Sequence, residues 1–247
     1  MEIVTLRERP DLRPLIFASD LEAVWPEFMK HDATANLYFA PRMLDRYLDY
    51  AYAGIDNGKV VARAFSVPFA FNTDDRVELP DGGWDQVIRW AHEDSMIGRA
   101  PTALSALEIS LLPEARGSGN SLALLKAMKS RARSNGLTRL FAPVRPNQKH
   151  LQPRMPMREY VEKVGSDGFP IDSWLRTHLR AGGQIIKIAS CSMTIVGSLS
   201  DWARWTGQPF DRSGEVIVTG ALSPVMVCLE QDFAVYVEPN VWIQHTV

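Results

Sequence analysis

Apolar and polar residues alternate over residues 2–8, the pattern of a strand with one covered face. Residues 12–30 then carry Leu15, Ile16, Leu21, Val24, Trp25 and Phe28 at helical spacing, with Ser19 or Asp20 placed to cap a break. A short helix is predicted over 41–50, with Pro41 in its first turn. Two apolar runs, 50–55 and 60–71, flank Asp56-Asn57-Gly58-Lys59, and Asn-Gly is the strongest short hairpin signal. Residues 81–92 read as a helix, followed by a strand that ends near Pro113. The next helix has the stripe Leu122, Leu125, Met128, Lys129 and Ala132 and stops at Ser134-Asn135-Gly136. A strand over 137–144, a proline-punctuated stretch to Pro156, helices over 157–164 and 171–183, and a strand over 184–189 come next. The remainder is strand-rich, with strands predicted over 192–196, 215–218, 225–229 and 233–237 and a helical turn over 200–205.

Composition narrows the class. The chain has 247 residues, 46% of them hydrophobic and 23% charged, and a formal net charge of −2. That balance offers no basic footprint for nucleic acid or an anionic membrane surface. No apolar run approaches the roughly 18 residues of a spanning helix. The first residues, Met1 to Arg9, are charged where a secretion signal needs an apolar core, so a cytoplasmic protein is expected. Cys191 and Cys228 lie in apolar runs and are expected to be buried and reduced. No histidine–cysteine cluster has the spacing of a metal site, and no metal is expected. Most of the seven tryptophans are expected in the core.

The most specific chemistry lies between residues 107 and 122. An apolar strand leads to Pro113, then to Arg116-Gly117-Ser118-Gly119-Asn120-Ser121, then to a helix. Glycine lets backbone come close to a ligand, and a helix start presents unpaired N–H groups to an anion. The P-loop is excluded because no lysine follows Gly119. The dinucleotide fingerprint is excluded because position 122 is Leu. Arg116 to Ser121, with Pro113 three residues earlier, instead resembles the Arg/Gln-x-x-Gly-x-Gly/Ala loop of the GNAT superfamily of acyl-CoA-dependent N-acyltransferases, with Ser121 in place of the last small residue.

The resemblance implies an α/β (α+β) fold, a mixed central sheet flanked by helices, with extra C-terminal strands. It covers about residues 1–190 of a single domain spanning 1–247. The departures are an extra helix near 82–98, an insert at about 148–172 and an extension from about 190 expected to pack on the main sheet. It implies an enzyme that moves an acetyl or related acyl group from acetyl-CoA to a small-molecule amine by direct attack in a ternary complex, and it leaves room for a homodimer. Ile109, Ser110 and Leu111 would pair with the pantetheine arm. Arg116, Gly117, Ser118, Gly119, Asn120 and Ser121 would hold the pyrophosphate, and Asn147 would lie near the cofactor. His178-Leu-Arg-Ala-Gly182 falls on the family's Tyr-x-x-x-Gly motif, which makes His178 the expected acid for the leaving thiolate, with Tyr160 as its competitor. Glu108 is the expected base if it faces the acceptor, and a solvated strand residue if it points outward. Lys149, His150, Arg145 and Arg154 form a basic group expected near the cofactor mouth. Two other readings remain: a GNAT-like thioester decarboxylase, and a catalytically silent CoA-binding module.

Overall fold

The computed structural model describes residues 1–247, the side chain of Ser19 excepted. Its strands are β1 (Glu2–Thr5), β2 (Ala51–Asp56), β3 (Lys59–Phe69), β4 (Ala103–Leu111), β5 (Arg139–Val144), β6 (Gln184–Gly197), β7 (Gly214–Val216), β8 (Val225–Cys228) and β9 (Phe233–Thr246). Its α-helices are α1 (Arg13–Ile16), α2 (Ser19–Glu22), α3 (Ala33–Phe39), α4 (Pro41–Leu44), α5 (Gly83–Ile97), α6 (Asn120–Ser134), α7 (Met157–Val161), α8 (Ser173–Arg180) and α9 (Leu199–Thr206). The strands form one sheet in the order β1-β2-β3-β4-β5-β9-β8-β7, and β6 pairs with β9 off this path. Every pairing is antiparallel except β4 with β5. This is the mixed sheet flanked by helices that the resemblance implied.

The alternation of side chains explains the layers. On β3, Phe65, Val67 and Phe69 face a core shared with Trp84, Val87, Ile88 and Ala91 of α5. Ala62 and Ala64 face the opposite core, built with Leu124, Leu125, Met128 and Ala132 of α6. The hairpin between β2 and β3 turns on Asn57 and Gly58, both at positive φ, as a two-residue turn of this type requires.

Three segments differ from the sequence expectation. Residues 12–30 are not one amphipathic helix with a single break but α1, α2 and a 3₁₀ turn, Glu27–His31. Pro26 removes an N–H and disfavours helical backbone at Trp25. The two strands expected over 184–189 and 192–196 are a single strand, β6. Between its pairs Ala189↔Asn240 and Met193↔Glu238 lie three residues opposite Pro239. That bulge accommodates a residue with no N–H to offer, so β9 runs on past 237 to Thr246.

The boundary expected near residue 190 is also corrected. β9 pairs with β5 from Arg139↔Thr246 to Val144↔Val241 and with β6 on its other edge. The C-terminal strand is therefore inside the sheet. Residues 198–232, which carry α9, β7 and β8, lie between β6 and β9 in the chain. Cys191 is exposed and Cys228 half-buried, against the expectation that both are buried. Among the described residues, no helix is long and apolar enough to cross a membrane.

Candidate active site

The site begins where two strands part. β4 and β5 pair only at Leu104↔Leu140 and Ser105↔Phe141. Beyond those pairs both strands line a cavity of about 430 Å³, with Ala106 to Ser110 on one wall and Ala142 to Arg145, with Asn147, on the other. Leu107 is an extra residue in β4, because Phe65 pairs with Glu108 and Ser66 with Ala106. Its carbonyl accepts from the indole of Trp84 at 3.0 Å. Ile109, Ser110 and Leu111 pair with Ala64, Arg63 and Ala62 on one edge, and no described strand covers the other. An extended amide-bearing arm would find that edge open, as in β-augmentation.

Past Leu112 the chain makes one 3₁₀ turn, Pro113–Ala115, and enters the glycine loop. Arg116 is exposed, and its Nε donates to the carbonyl of Leu111 at 3.2 Å. Asn120 Nδ2 donates to the carbonyl of Ala115 at 2.9 Å, tying the loop to the start of α6. Gly117 and Gly119 have φ of 76° and 75°, the left-handed region that other residues avoid. A Cβ built at either meets nothing within 4 Å. Gly119 caps α6 with no side-chain hydrogen bond, so the first N–H groups of α6 are left for an anion. The residues Arg116, Gly117, Ser118, Gly119, Asn120 and Ser121 thus form an open cradle beyond the end of β4.

One part of the cavity is organised by three ion pairs. Arg63, only 3% exposed in its side chain, donates through Nε to Glu108 Oε1 at 2.6 Å and also pairs with Glu22. The same Glu108 oxygen accepts from Ser110 Oγ at 2.6 Å and from Trp25 Nε1 at 3.3 Å. All three donors converge on Oε1, which leaves Oε2 without a protein donor among the described residues. Glu108 therefore faces the cavity and not bulk solvent. On the other wall, Arg145 Nε lies 3.1 and 2.9 Å from the two oxygens of Glu238, which also accepts from Tyr236 and Asn240. Trp25 links the walls, since its ring faces the Arg145 guanidinium 5.8 Å away. Glu22, Trp25, Arg63, Glu238 and Asn240 were not singled out from sequence. A single arginine inside the apolar run of β3 was the readable signal for Arg63.

The two expected acids are corrected. Tyr160 is 1% exposed, packs in the α6 core and donates to Asp172 Oδ2 at 2.9 Å. Burial and that carboxylate hold its phenol above the ordinary range, and it does not line the cavity. His178 does line the cavity, next to Trp174. Burial, and then His245, push its imidazole down to about 3, so it carries no acidic proton near neutrality. The basic group near the mouth is also corrected. Lys149 is 1% exposed, with Nζ donating to the carbonyls of Gln152 at 2.8 Å and Leu222 at 2.7 Å, and Arg145 is committed to Glu238.

Asp85 on α5 does not line the cavity and is 6% exposed. Burial, and then the charge of Asp32, push its carboxyl up to about 8. A raised folded-state value means that the folded protein holds a proton the unfolded chain releases. The stabilisation is therefore full below about pH 4 and is lost as pH rises to about 8. Asp85→Asn, a neutral isostere, should raise the melting temperature increasingly over wild type as pH climbs through that window. Thermal scans at both ends check this, and a pH-independent difference would refute it.

Comparison with known proteins adds to this geometry. No family model matches the chain. It is 30% identical over 272 residues to the arginine N-acetyltransferase avaD of Aspergillus versicolor, covering 98% of this chain and 93% of that protein. Its fold is similar to the loading GNATL domain of CurA from Lyngbya majuscula, with a TM-score of 0.55, 16% identity, and coverage of 99% of this chain and 96% of that one. It is similar also to the GphF GNAT-like decarboxylase in complex with isobutyryl-CoA, with a TM-score of 0.54, 16% identity, and coverage of 100% and 99%.

Proposed function

Because the chain belongs to the GNAT superfamily and is an acyl-CoA-dependent N-acetyltransferase, we propose that it transfers the acetyl group of acetyl-CoA to an amine nitrogen of arginine or a close guanidine-bearing analogue. The observation that carries this is the end-to-end similarity to an arginine N-acetyltransferase. The cavity supports it. Phe17, Trp25 and Phe39 offer aromatic faces to a guanidinium and its methylene stem, and Glu22 and Glu108 offer negative charge. Arg63 and Arg145 are already paired with carboxylates, so they do not repel a cationic acceptor in the way free guanidinium groups would.

In this reading, the open edge at Ile109, Ser110 and Leu111 holds the pantetheine arm, with Asn147 across from it. The Arg116–Ser121 cradle holds the pyrophosphate. The acceptor amine attacks the thioester carbonyl directly, and no cysteine is among the residues lining the cavity. Glu108 Oε2 takes the amine proton, while Arg63, Ser110 and Trp25 hold the carboxylate in place through its other oxygen. The departing thiolate, with a thiol pKa of about 8.5, leaves without an acid.

The test is an assay of acetyl-CoA against arginine, agmatine, ornithine, lysine and an aminoglycoside, following CoA release and locating the new acetyl group by mass spectrometry. Arginine should give a kcat/KM at least about tenfold above lysine, about 1.4 kcal/mol of discrimination. Equal turnover of all amines, or none with arginine, rejects the acceptor. CO₂ release from malonyl-CoA with no amine present would favour the decarboxylase reading instead.

A further inference from the structure

The cavity holds two opposite charges that its own side chains leave unbalanced. Among the described residues, its charged lining is Glu22, Lys30, Arg63, Glu108, Arg145 and Glu238. Arg145 and Glu238 neutralise each other on one wall. Arg63 is shared by two carboxylates, Glu22 and Glu108, so one negative charge is in excess there. Lys30 has no counterpart within the cavity. Its Nζ lies 2.8 Å from an oxygen of Glu27, a residue that does not line the cavity and whose side chain is 54% exposed. A surface pair of this kind is weak, and another carboxylate can take the place of Glu27.

One short segment carries both unbalanced charges. Glu22 ends α2, and Lys30 lies on the 3₁₀ turn Glu27–His31. Between them Val24, Trp25, Pro26 and Met29 also line the cavity. The turn is anchored from below, since Phe28 and Met29 are buried and the Phe28 ring packs 5.7 Å from Trp202 and 5.3 Å from Tyr236. The backbone under Lys30 is therefore fixed by the core, while its side chain, one-third exposed, can still follow a ligand. Asn36 on α3, which packs against the same turn, adds an amide to the lining. An ammonium on a flexible stem meets a carboxylate as a point charge and asks for no fixed approach angle.

We propose that Lys30 is a specificity-determining residue that binds a free carboxylate of the acceptor. The acceptor class is then a basic amino acid with its carboxylate unblocked, and not the corresponding decarboxylated amine. The proposal rests on the acyl-transfer reading above and narrows its acceptor. The cation of such a molecule meets the excess negative charge at Glu22 and Glu108, and its carboxylate meets Lys30. An amine without a carboxylate satisfies only the first of these. An acceptor whose carboxyl is tied up in an amide fails in the same way, because it brings no charge to the ammonium.

Initial rates with acetyl-CoA on matched acceptors test this: arginine against agmatine, ornithine against putrescine, and lysine against cadaverine, with argininamide as the blocked form of arginine. In the wild-type protein the carboxylate-bearing member of at least one pair should have a kcat/KM about tenfold above its partner. Lys30→Met keeps the stem and removes the charge. It should bring that ratio down to about one, by raising KM for the amino acid while kcat stays within about twofold. Lys30→Arg, which restores a cation, should recover most of the preference. A defect of folding or of cavity shape would slow both members of a pair alike and leave the ratio where it was. Equal kcat/KM within every pair, argininamide as good as arginine, or a preference that survives Lys30→Met overturns the proposal. A carboxylate preference shown by ornithine or lysine, with no turnover of arginine, would reject the guanidine-bearing acceptor and leave the role of Lys30 standing. No turnover of any member overturns both.

Discussion

Glu108→Gln should lower kcat by about a hundredfold, the lower end of what a general base contributes and about 2.7 kcal/mol of barrier. The amide is isosteric, and its oxygen can still accept from Arg63, Ser110 and Trp25, so the wall of the cavity should keep its shape. What it loses is the charge and the lone pair that, in the proposed reaction, take the amine proton. Arg63 stays compensated, since it also pairs with Glu22 and donates to the carbonyl of Ile16 at 3.1 Å. The melting temperature should therefore fall only modestly, and not by the several kcal/mol that stranding a buried charge would cost. Affinity for CoA, measured by calorimetry, should stay within about twofold, because in the proposed reaction the carboxylate serves the acceptor and is not part of the cradle. Wild-type kcat in a folded Glu108→Gln protein would remove Glu108 as the base. Glu22, one-third exposed in its side chain on the same cavity, would be the next to test.

Gly119→Val should weaken CoA binding by at least about a hundredfold, again about 2.7 kcal/mol. Two effects combine at this position. A β-branched residue at φ 75° is strained by about 1–2 kcal/mol, small beside a typical stability of about 5–15 kcal/mol, so the protein should stay folded. The new Cβ would meet no protein atom within 4 Å. It would occupy the open space from which a pyrophosphate must reach the first N–H groups of α6. Calorimetry on a variant shown to be folded decides the matter, and an unchanged dissociation constant would show that the pyrophosphate is held elsewhere.

The parts of the site legible in the sequence were those encoded over a few consecutive residues. The cradle from Arg116 to Ser121 depends on two glycines, one arginine and a helix start within a dozen positions, and these have few alternative structures. His178 was found by register with a local motif and does reach the cavity. Its protonation could not be read, because burial, and then His245, 67 residues away, push the imidazole down. The same holds for Glu108. Its place on a strand was readable, but whether it faced water or the cavity depended on Arg63 from β3 and Trp25 from the segment after α2. Tyr160, offered as the competing acid, is held in a separate core by a contact with Asp172 that no local pattern encodes.

By itself, the sequence determined the local elements and their order: the Asn57-Gly58 hairpin, the strand and glycine cradle before α6, and the glycine stop after it. Each follows from backbone preferences over short windows, where the competing conformations cost more than tertiary contacts usually return. Tertiary structure alone decided which strands are neighbours. The C-terminal strand looked like an appendage because it falls beyond the residues that the resemblance covers, yet it lies between β5 and β6, with a three-residue bulge opposite Pro239. It also set the protonation of the buried groups. Asp85 and His178 are displaced in opposite directions, one up to about 8 and the other down to about 3, because desolvation penalises whichever form is charged. Burial is a property of the packed chain, and no window of sequence contains it.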